Sequence, residues 1–259
     1  MAGWRNWALR VPILRTWLES REREFSLGDI IIEAPRPPVS KSLRKSLRKK
    51  EYEAPELNLV CRLVRPGNTV LDLGSGLGLI AIAAARSSGN GRVVGYEADP
   101  VIARLAEKNI RRNGARVEIR NKAIAREKGV CEFHVRSVFA ASSLFPLKGS
   151  KKILIEADAS RDVVNEIQPD VIICDTEGSE KELFSGANLS SVQRLVVEVH
   201  PQVIGLLGAL KCVRDLAAAG FSLVESLSIG QVLVFDRDGS SASIEPFHSK
   251  GKTDEKAPT

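Results

Sequence analysis

The chain is short of cysteine, of aromatic residues and of long apolar runs. Its four cysteines, Cys61, Cys131, Cys174 and Cys212, are scattered over 259 residues, and no two form a C-x-x-C pair. That spacing argues against a disulfide framework or a cysteine metal site and favours reduced thiols in a cytoplasmic protein. No apolar stretch reaches the roughly 20 residues that cross a bilayer, so no transmembrane segment is expected. Arg5, Arg10 and Arg15 interrupt the apolar start, which therefore lacks the core of a secretory leader. What remains is ordinary globular composition, 43% hydrophobic and 27% charged, enough for one full α/β domain with appendages. The net charge of +6 is unevenly spread: six of the ten residues from Lys41 to Lys50 are cations.

Residues 3–24 read as an amphipathic helix, with Trp4, Trp7, Val11, Leu14 and Leu18 at spacings of three and four and a kink at Pro12. Packing on the main domain or on a second subunit is expected in preference to a membrane surface. Trp4, Trp7 and Trp17 could then bury a homo-oligomer contact. Phe25 to Ala34 reads as a strand or small hairpin that ends in the stiff Pro35-Arg36-Pro37-Pro38. The segment SKSLRKSLRKK puts Leu43 and Leu47 on one helical face. No aromatics interleave with its cations for base stacking, so a solvated helix face is favoured over a nucleic-acid patch. Pro55 to Val64 reads as a helix opened by its proline and stopped by Pro66-Gly67.

From Asn68 strands and helices alternate, which predicts a mainly parallel sheet covered on both faces. Strands are expected at about 69–73, 92–96, 115–120, 170–175, 193–199, 221–228 and 231–236, the last two as an antiparallel hairpin. Helices are expected at about 78–87, 100–113, 158–167, 180–186 and 202–219, with an extra strand pair within 130–156. The expected organisation is an N-terminal extension (1–50), a main domain (51–236) and a polar, disordered tail (237–259).

The run VLDLGSGLGLIAIAAA, Val70 to Ala85, delivers a buried strand into Gly74, Gly76 and Gly78 and then a helix. Gly76-Leu77-Gly78-Leu79-Ile80-Ala81 fits the dinucleotide pattern G-x-G-x-x-A, and Glu97 follows Gly76 by 21 residues, near the spacing of a ribose-binding acid. Asp72 argues against that ligand, because it brings a negative charge towards a pyrophosphate. Neither Tyr52 nor Tyr96 is followed four residues later by lysine, so a dehydrogenase would also lack its catalytic equipment. A carboxylate beside bare glycine backbone suits a ligand with an ammonium group and a sulfonium centre, S-adenosyl-L-methionine. On this reading Gly74, Ser75, Gly76 and Gly78 form the cofactor loop and Asp72 lies beside or beneath it. Glu97 binds the ribose hydroxyls, with Ala98 and Asp99 near the adenine.

Further on stand IICDTEGSEKELFSGA, Ile172 to Ala187, and RLVVEVHP, Arg194 to Pro201. With VLDLGSGLG and GYEADP they resemble the FkbM family of S-adenosylmethionine-dependent methyltransferases. That family has D-x-E-G-x-E after its fourth strand and Glu-x-His or similar ending its fifth, here Asp175 to Glu180 and Glu198-Val199-His200. The resemblance spans roughly residues 50–200. It implies a Rossmann-like class I fold, with a seven-stranded, mostly parallel sheet ordered 3-2-1-4-5-7-6 and strand seven reversed. It also implies methyl transfer, usually to a small-molecule or glycan hydroxyl. The segment Tyr52 to Glu56 resembles the stretch whose acid, here Glu56, closes the methionine end, and Asn121 and Ala123 match the approach to the adenine. Asp175 lies beside both cofactor and acceptor.

Ligands of open α/β sheets bind beyond the carboxyl ends of the strands, where Asp72, Glu97, Asp175 and His200 fall. An alcohol needs a base as its proton leaves, and Asp175, Glu177, Glu180 and His200 are the candidates. The plainer readings are a helix-start histidine ahead of Pro201, and acids favoured by a helix dipole at Glu177 and Glu180. No spacing requires a metal. The rivals are a nucleic-acid methyltransferase using Lys41 to Lys50, and a scaffold that keeps the fold without the reaction. Against the first, Cys174-Asp175-Thr176-Glu177 stands where amino-methylating enzymes carry Asn/Asp-Pro-Pro-Tyr/Phe.

Overall fold

The computed structural model describes residues 22–135 and 150–237. The tryptophan-bearing part of the expected first helix and nearly all of the polar tail lie outside these residues. The chain runs β1 (Glu24–Leu27), β2 (Ile30–Glu33), α1 (Lys41–Lys49), α2 (Ala54–Leu63), β3 (Val70–Leu73), α3 (Leu79–Ser88), β4 (Val93–Tyr96), α4 (Pro100–Arg112) and β5 (Glu118–Arg120). It continues through β6 (Ala123–Ala125), β7 (Gly129–Val135), β8 (Lys151–Ala159), α5 (Ser160–Ile167), β9 (Val171–Cys174) and a one-turn α6 (Glu180–Leu183). Last come β10 (Arg194–Glu198), α7 (Pro201–Ala218), β11 (Phe221–Leu223) and β12 (Val232–Arg237).

Seven strands form one sheet in the order β11-β12-β10-β9-β3-β4-β5, and only β12 runs against its neighbours. Counted along the chain this is 3-2-1-4-5-7-6 with the seventh strand reversed, as expected. The central strands VLDL, VVGY and VIIC are buried at every position, which a parallel sheet covered on both faces requires. Helix α3 is buried from Leu79 to Ala84 for the same reason. Asp99 caps α4 by accepting from the Val101 and Ile102 N–H groups, and Pro100 supplies its first turn.

The element bounds differ from expectation in three places. The strand expected over 221–228 ends at Leu223 and gives way to a 3-10 turn at Glu225–Leu227. Helix α7 is broken at Gly205, whose φ of 72° is not helical. The expected extra strand pair forms as β7 and β8, and a third strand, β6, joins it in a separate three-stranded sheet.

Hairpin β1–β2 is bound to the main body by two asparagine amides. Asn109 Oδ1 accepts from the Glu33 N–H at 2.8 Å, and its Nδ2 donates to the carbonyls of Glu33 (3.2 Å) and Leu77 (3.0 Å). Four residues on, Asn113 repeats the pattern on the Ile31 N–H (3.0 Å) and carbonyl (2.7 Å). Side chains spaced i, i+4 on α4 thus satisfy backbone groups spaced i, i+2 on the open edge of β2. Helix α1 packs Leu43 and Leu47 inward, as its spacing predicts, and lays Arg44 and Arg48 over Phe25 at 5.7 and 5.9 Å from the ring centroid. Two of its cations are therefore spent on the hairpin.

Asn109 is fully buried, so Asn109→Ala strands three backbone groups without partners. A loss of about 2–4 kcal/mol in urea unfolding is expected, against under about 1 kcal/mol for Glu107→Ala, whose half-exposed side chain makes only a 3.8 Å pair with Arg111.

Candidate functional site

The carboxyl ends of β3, β4, β9 and β10 open into one cavity of about 520 Å³. At its floor lies the loop after β3. The Gly74 and Ser75 N–H groups both donate to the Tyr96 carbonyl at 2.9 Å, which folds the loop across the end of β4. Gly74 has φ +92°, and a Cβ there would stand 1.8 Å from the Asp175 carbonyl oxygen. Only glycine admits that contact. Gly95 in β4 makes a similar allowance, because a Cβ would meet the Ser75 hydroxyl at 2.4 Å.

Glu97 takes the Gly76 N–H and the Asp99 N–H on its two carboxylate oxygens, both at 2.8 Å. Burial nonetheless raises its pKa to about 8. Asp72 is 2% exposed beneath the loop, and its Oδ2 has no hydrogen-bond partner. Burial pushes its carboxyl up to about 6. The orphaned oxygen and the bare glycine backbone fit the ammonium and the close approach that S-adenosylmethionine demands. Asn121 donates to the Glu97 and Ala98 carbonyls at 2.8 and 3.2 Å, so it braces the backbone at the end of the cavity after β4. Ala98, Ala123, Ile124 and Phe133 line that end.

Of the expected cofactor residues, Asp72, Ser75, Gly78 and Asn121 are not among the described residues that line the cavity. Gly78 caps α3 and lies against Ala106 of α4, with a Cβ 3.4 Å from three of its atoms, and is not among the cavity's described lining residues. It is a helix-packing position. Glu56 lines the cavity, but Tyr52 and Glu53 stand closer to the loop: a Cβ on Gly76 would be 3.0 Å from Tyr52 Oη and 3.4 Å from Glu53 Oε1. Burial raises the Glu53 carboxyl well above its usual range, and its Oε2 has no partner. Glu53 holds φ at 47°. That left-handed non-glycine turn was the structural signal that composition could not supply.

The other wall is an acid–histidine cluster. His200, 3% exposed and at the start of α7, turns Nδ1 to Glu180 Oε1 at 3.1 Å. Its Nε2 faces Glu177 Oε2 at 3.4 Å, Asp175 Oδ1 at 3.5 Å and Glu198 Oε1 at 3.9 Å. Burial lowers the imidazole pKa, but the hydrogen bond to Glu180 and the charge of Glu177 more than reverse this, so it is raised. Asp175 is raised well above the carboxylate range by burial and then by Glu198, Glu177 and Glu53. Glu177 is raised mainly by burial, and its φ of 51° is again left-handed.

Glu180, expected as a base, has no access to the cavity: its side chain is 0% exposed. Its oxygens accept from the His200 N–H (2.8 Å), the Gly178 N–H (2.7 Å) and Thr176 Oγ1 (3.4 Å). It ties the turn after β9 to the end of β10 and positions His200. Glu198 was missed as a candidate, although its place two residues before His200, on the last residue of β10, marks it as facing the same strand end.

This sheet order, the glycine loop and the acid at the tip of β4 define the class I S-adenosylmethionine-dependent methyltransferase fold. Residues 56–140 match the family model described as "Ribosomal protein L11 methyltransferase (PrmA)". A ribosomal protein L11 methyltransferase of Chloroflexus aurantiacus is 51% identical over 57 residues, 22% of this chain and 17% of the relative. One from Thermosipho africanus is 34% identical over 94 residues, 36% of each chain. The chain covers about a fifth of the length of the relatives it first matches. A solved precorrin-6y C5,15-methyltransferase from Geobacter metallireducens superposes with TM-score 0.45 at 13% identity, over 76% of this chain and 90% of that one.

These findings correct the expected acceptor and lend no support to the FkbM resemblance in particular. The matched family and relatives are named for a ribosomal protein, which overturns the small-molecule or glycan acceptor, and the matched model is PrmA, not FkbM. The physical reason is that the strongest sequence signals concern the methyl donor and carry no code for the acceptor.

Glu97 gives the apo protein a signed pH dependence. A carboxyl raised from 4.5 to about 8 contributes stability that is full below pH 4.5 and lost as pH rises through 8. The melting temperature of ligand-free wild type should therefore fall from pH 5 to 8 more steeply than that of Glu97→Gln. Parallel curves would contradict the assignment.

Proposed function

We propose that this chain transfers methyl from S-adenosylmethionine to a nucleophile carried on a protein. The observation that carries the reading is the single cavity in which the glycine cradle and the Asp175–Glu177–Glu198 wall are continuous. S-adenosylmethionine, when bound, supplies a methyl group on a positively charged sulfur. Asp72 and Glu53 would hold its ammonium end, Glu97 the ribose hydroxyls, and Ile124 and Phe133 the faces of the adenine.

On the acceptor side, Glu177 stands on the cavity wall with its pKa raised, which makes it a stronger base than a solvated carboxylate. It takes the proton of the nucleophile, and His200 behind it steadies the charge. Much of the rate comes from holding acceptor and methyl in line. A carboxylate-ringed mouth suits a basic polypeptide, and the relatives' printed acceptor is a ribosomal protein. The D-T-E-G-S-E turn is the feature that favours FkbM-like machinery within this reading.

The test combines calorimetry with S-adenosylhomocysteine and labelled methyl transfer to ribosomal proteins. Glu97→Gln should weaken S-adenosylhomocysteine about 10–100-fold. Glu177→Gln should leave that affinity alone and lower kcat about 100-fold. Label found only in low-molecular-weight products would overturn the protein acceptor. No binding of S-adenosylhomocysteine would overturn the whole reading.

A further inference from the structure

We propose that Asp175, Glu198 and His200 form a binding site for one divalent first-row metal ion. One ligand atom from each lies within 4.8 Å of the other two. The set is not merely acidic, since its nitrogen comes from a histidine more than nine-tenths buried.

Three features of that histidine suit a ligand. Nδ1 is engaged by Glu180 at 3.1 Å, and Glu180 is itself held by the Gly178 N–H at 2.7 Å and Thr176 Oγ1 at 3.4 Å. A carboxylate fixed behind Nδ1 holds the proton there and leaves the Nε2 lone pair facing outward, the arrangement that orients metal-bound histidines. Nε2 then meets oxygens of Glu177, Asp175 and Glu198 at 3.4, 3.5 and 3.9 Å, beyond the length of a good hydrogen bond. Atoms sharing an ion at about 2.1 Å stand about 3.0–3.4 Å apart in octahedral or tetrahedral geometry, so small inward movements close the site.

A second observation concerns the carboxylate that faces Nε2. Asp175 Oδ1 is shut off from solvent and has no hydrogen-bond partner, although it points at this cluster. Among the described residues lining the cavity, Lys122 is the one Lys or Arg, and it pairs with Asp158 at 3.0 Å. The protein thus gathers acids here, and His200 faces their centre with a nitrogen. Two carboxylates and one imidazole suit Mn²⁺ or Zn²⁺ better than a softer, thiolate-seeking ion. Glu177 stands beside the ion as a wall residue.

The site is argued from ligand geometry and stands apart from the methyl-transfer reading, so its test needs no turnover. The full chain, stripped with EDTA, is titrated with Mn²⁺ while the electron paramagnetic resonance signal of free Mn²⁺ is followed. The expected result is one saturable site per chain. Asp175→Asn should weaken it at least about tenfold and Glu180→Gln about 10–100-fold, while Glu51→Gln at the cavity mouth leaves it unchanged. Because Glu180 is buried, thermal melts accompany each variant, and the half-exposed Asp175 carries the decision if Glu180→Gln does not fold. No saturable loss of signal up to 1 mM Mn²⁺, or equal weakening by Asp175→Asn and Glu51→Gln, would overturn the proposal.

Discussion

The contact on which the site depends is between two backbones. Gly74 and the carbonyl of Asp175 approach so closely that no side chain fits between them. That contact joins the glycine loop after β3 to the strand end that carries the acid–histidine wall. Without it the two halves would be separate surfaces of one sheet. With it, any shift of β9 against β3 is felt on both sides at once, because a packed parallel sheet transmits strain and does not absorb it.

A second layer of constraint keeps the two halves in register. Glu97 gathers two N–H groups from different loops, and Glu180 gathers two N–H groups and a hydroxyl from the turn and strand on the opposite side. Each is a buried carboxylate used as a cross-brace. Their surroundings push them apart: burial raises Glu97, whereas for Glu180 the hydrogen bonds from His200 overcome burial and lower it. The same side-chain type serves as a neutral-leaning brace in one place and a charged one in the other.

Much of this was legible in residue order. The apolar runs were enough for the alternating strands and helices and for the antiparallel last strand, because they reflect local geometry, and the order of the strands came from the family resemblance. The D-T-E-G-S-E turn and Glu-x-His marked the second wall. Glu180 and Gly78 were assigned too much, since spacing cannot distinguish a side chain turned inward for bracing from one facing a cavity. Glu53 and Tyr52 were assigned too little, because their place depends on a left-handed turn at Glu53 that brings them over Gly76. The strand pair that delivers Phe133 was legible within 130–156, but not the short β6 that joins it, as short strands carry no sign of the sheet they join.

The crowding of acids around the cavity has a consequence for turnover. Carboxyls with raised pKa values share protons, and an arriving positive charge displaces some of them into solvent. On the proposed reading the donor brings such a charge on its sulfur and the spent product does not. Donor uptake would then be coupled to proton release, and the neutral product would face a cavity that draws its protons back. The same walls that receive the methyl donor would thereby favour exchange of the used molecule for a fresh one.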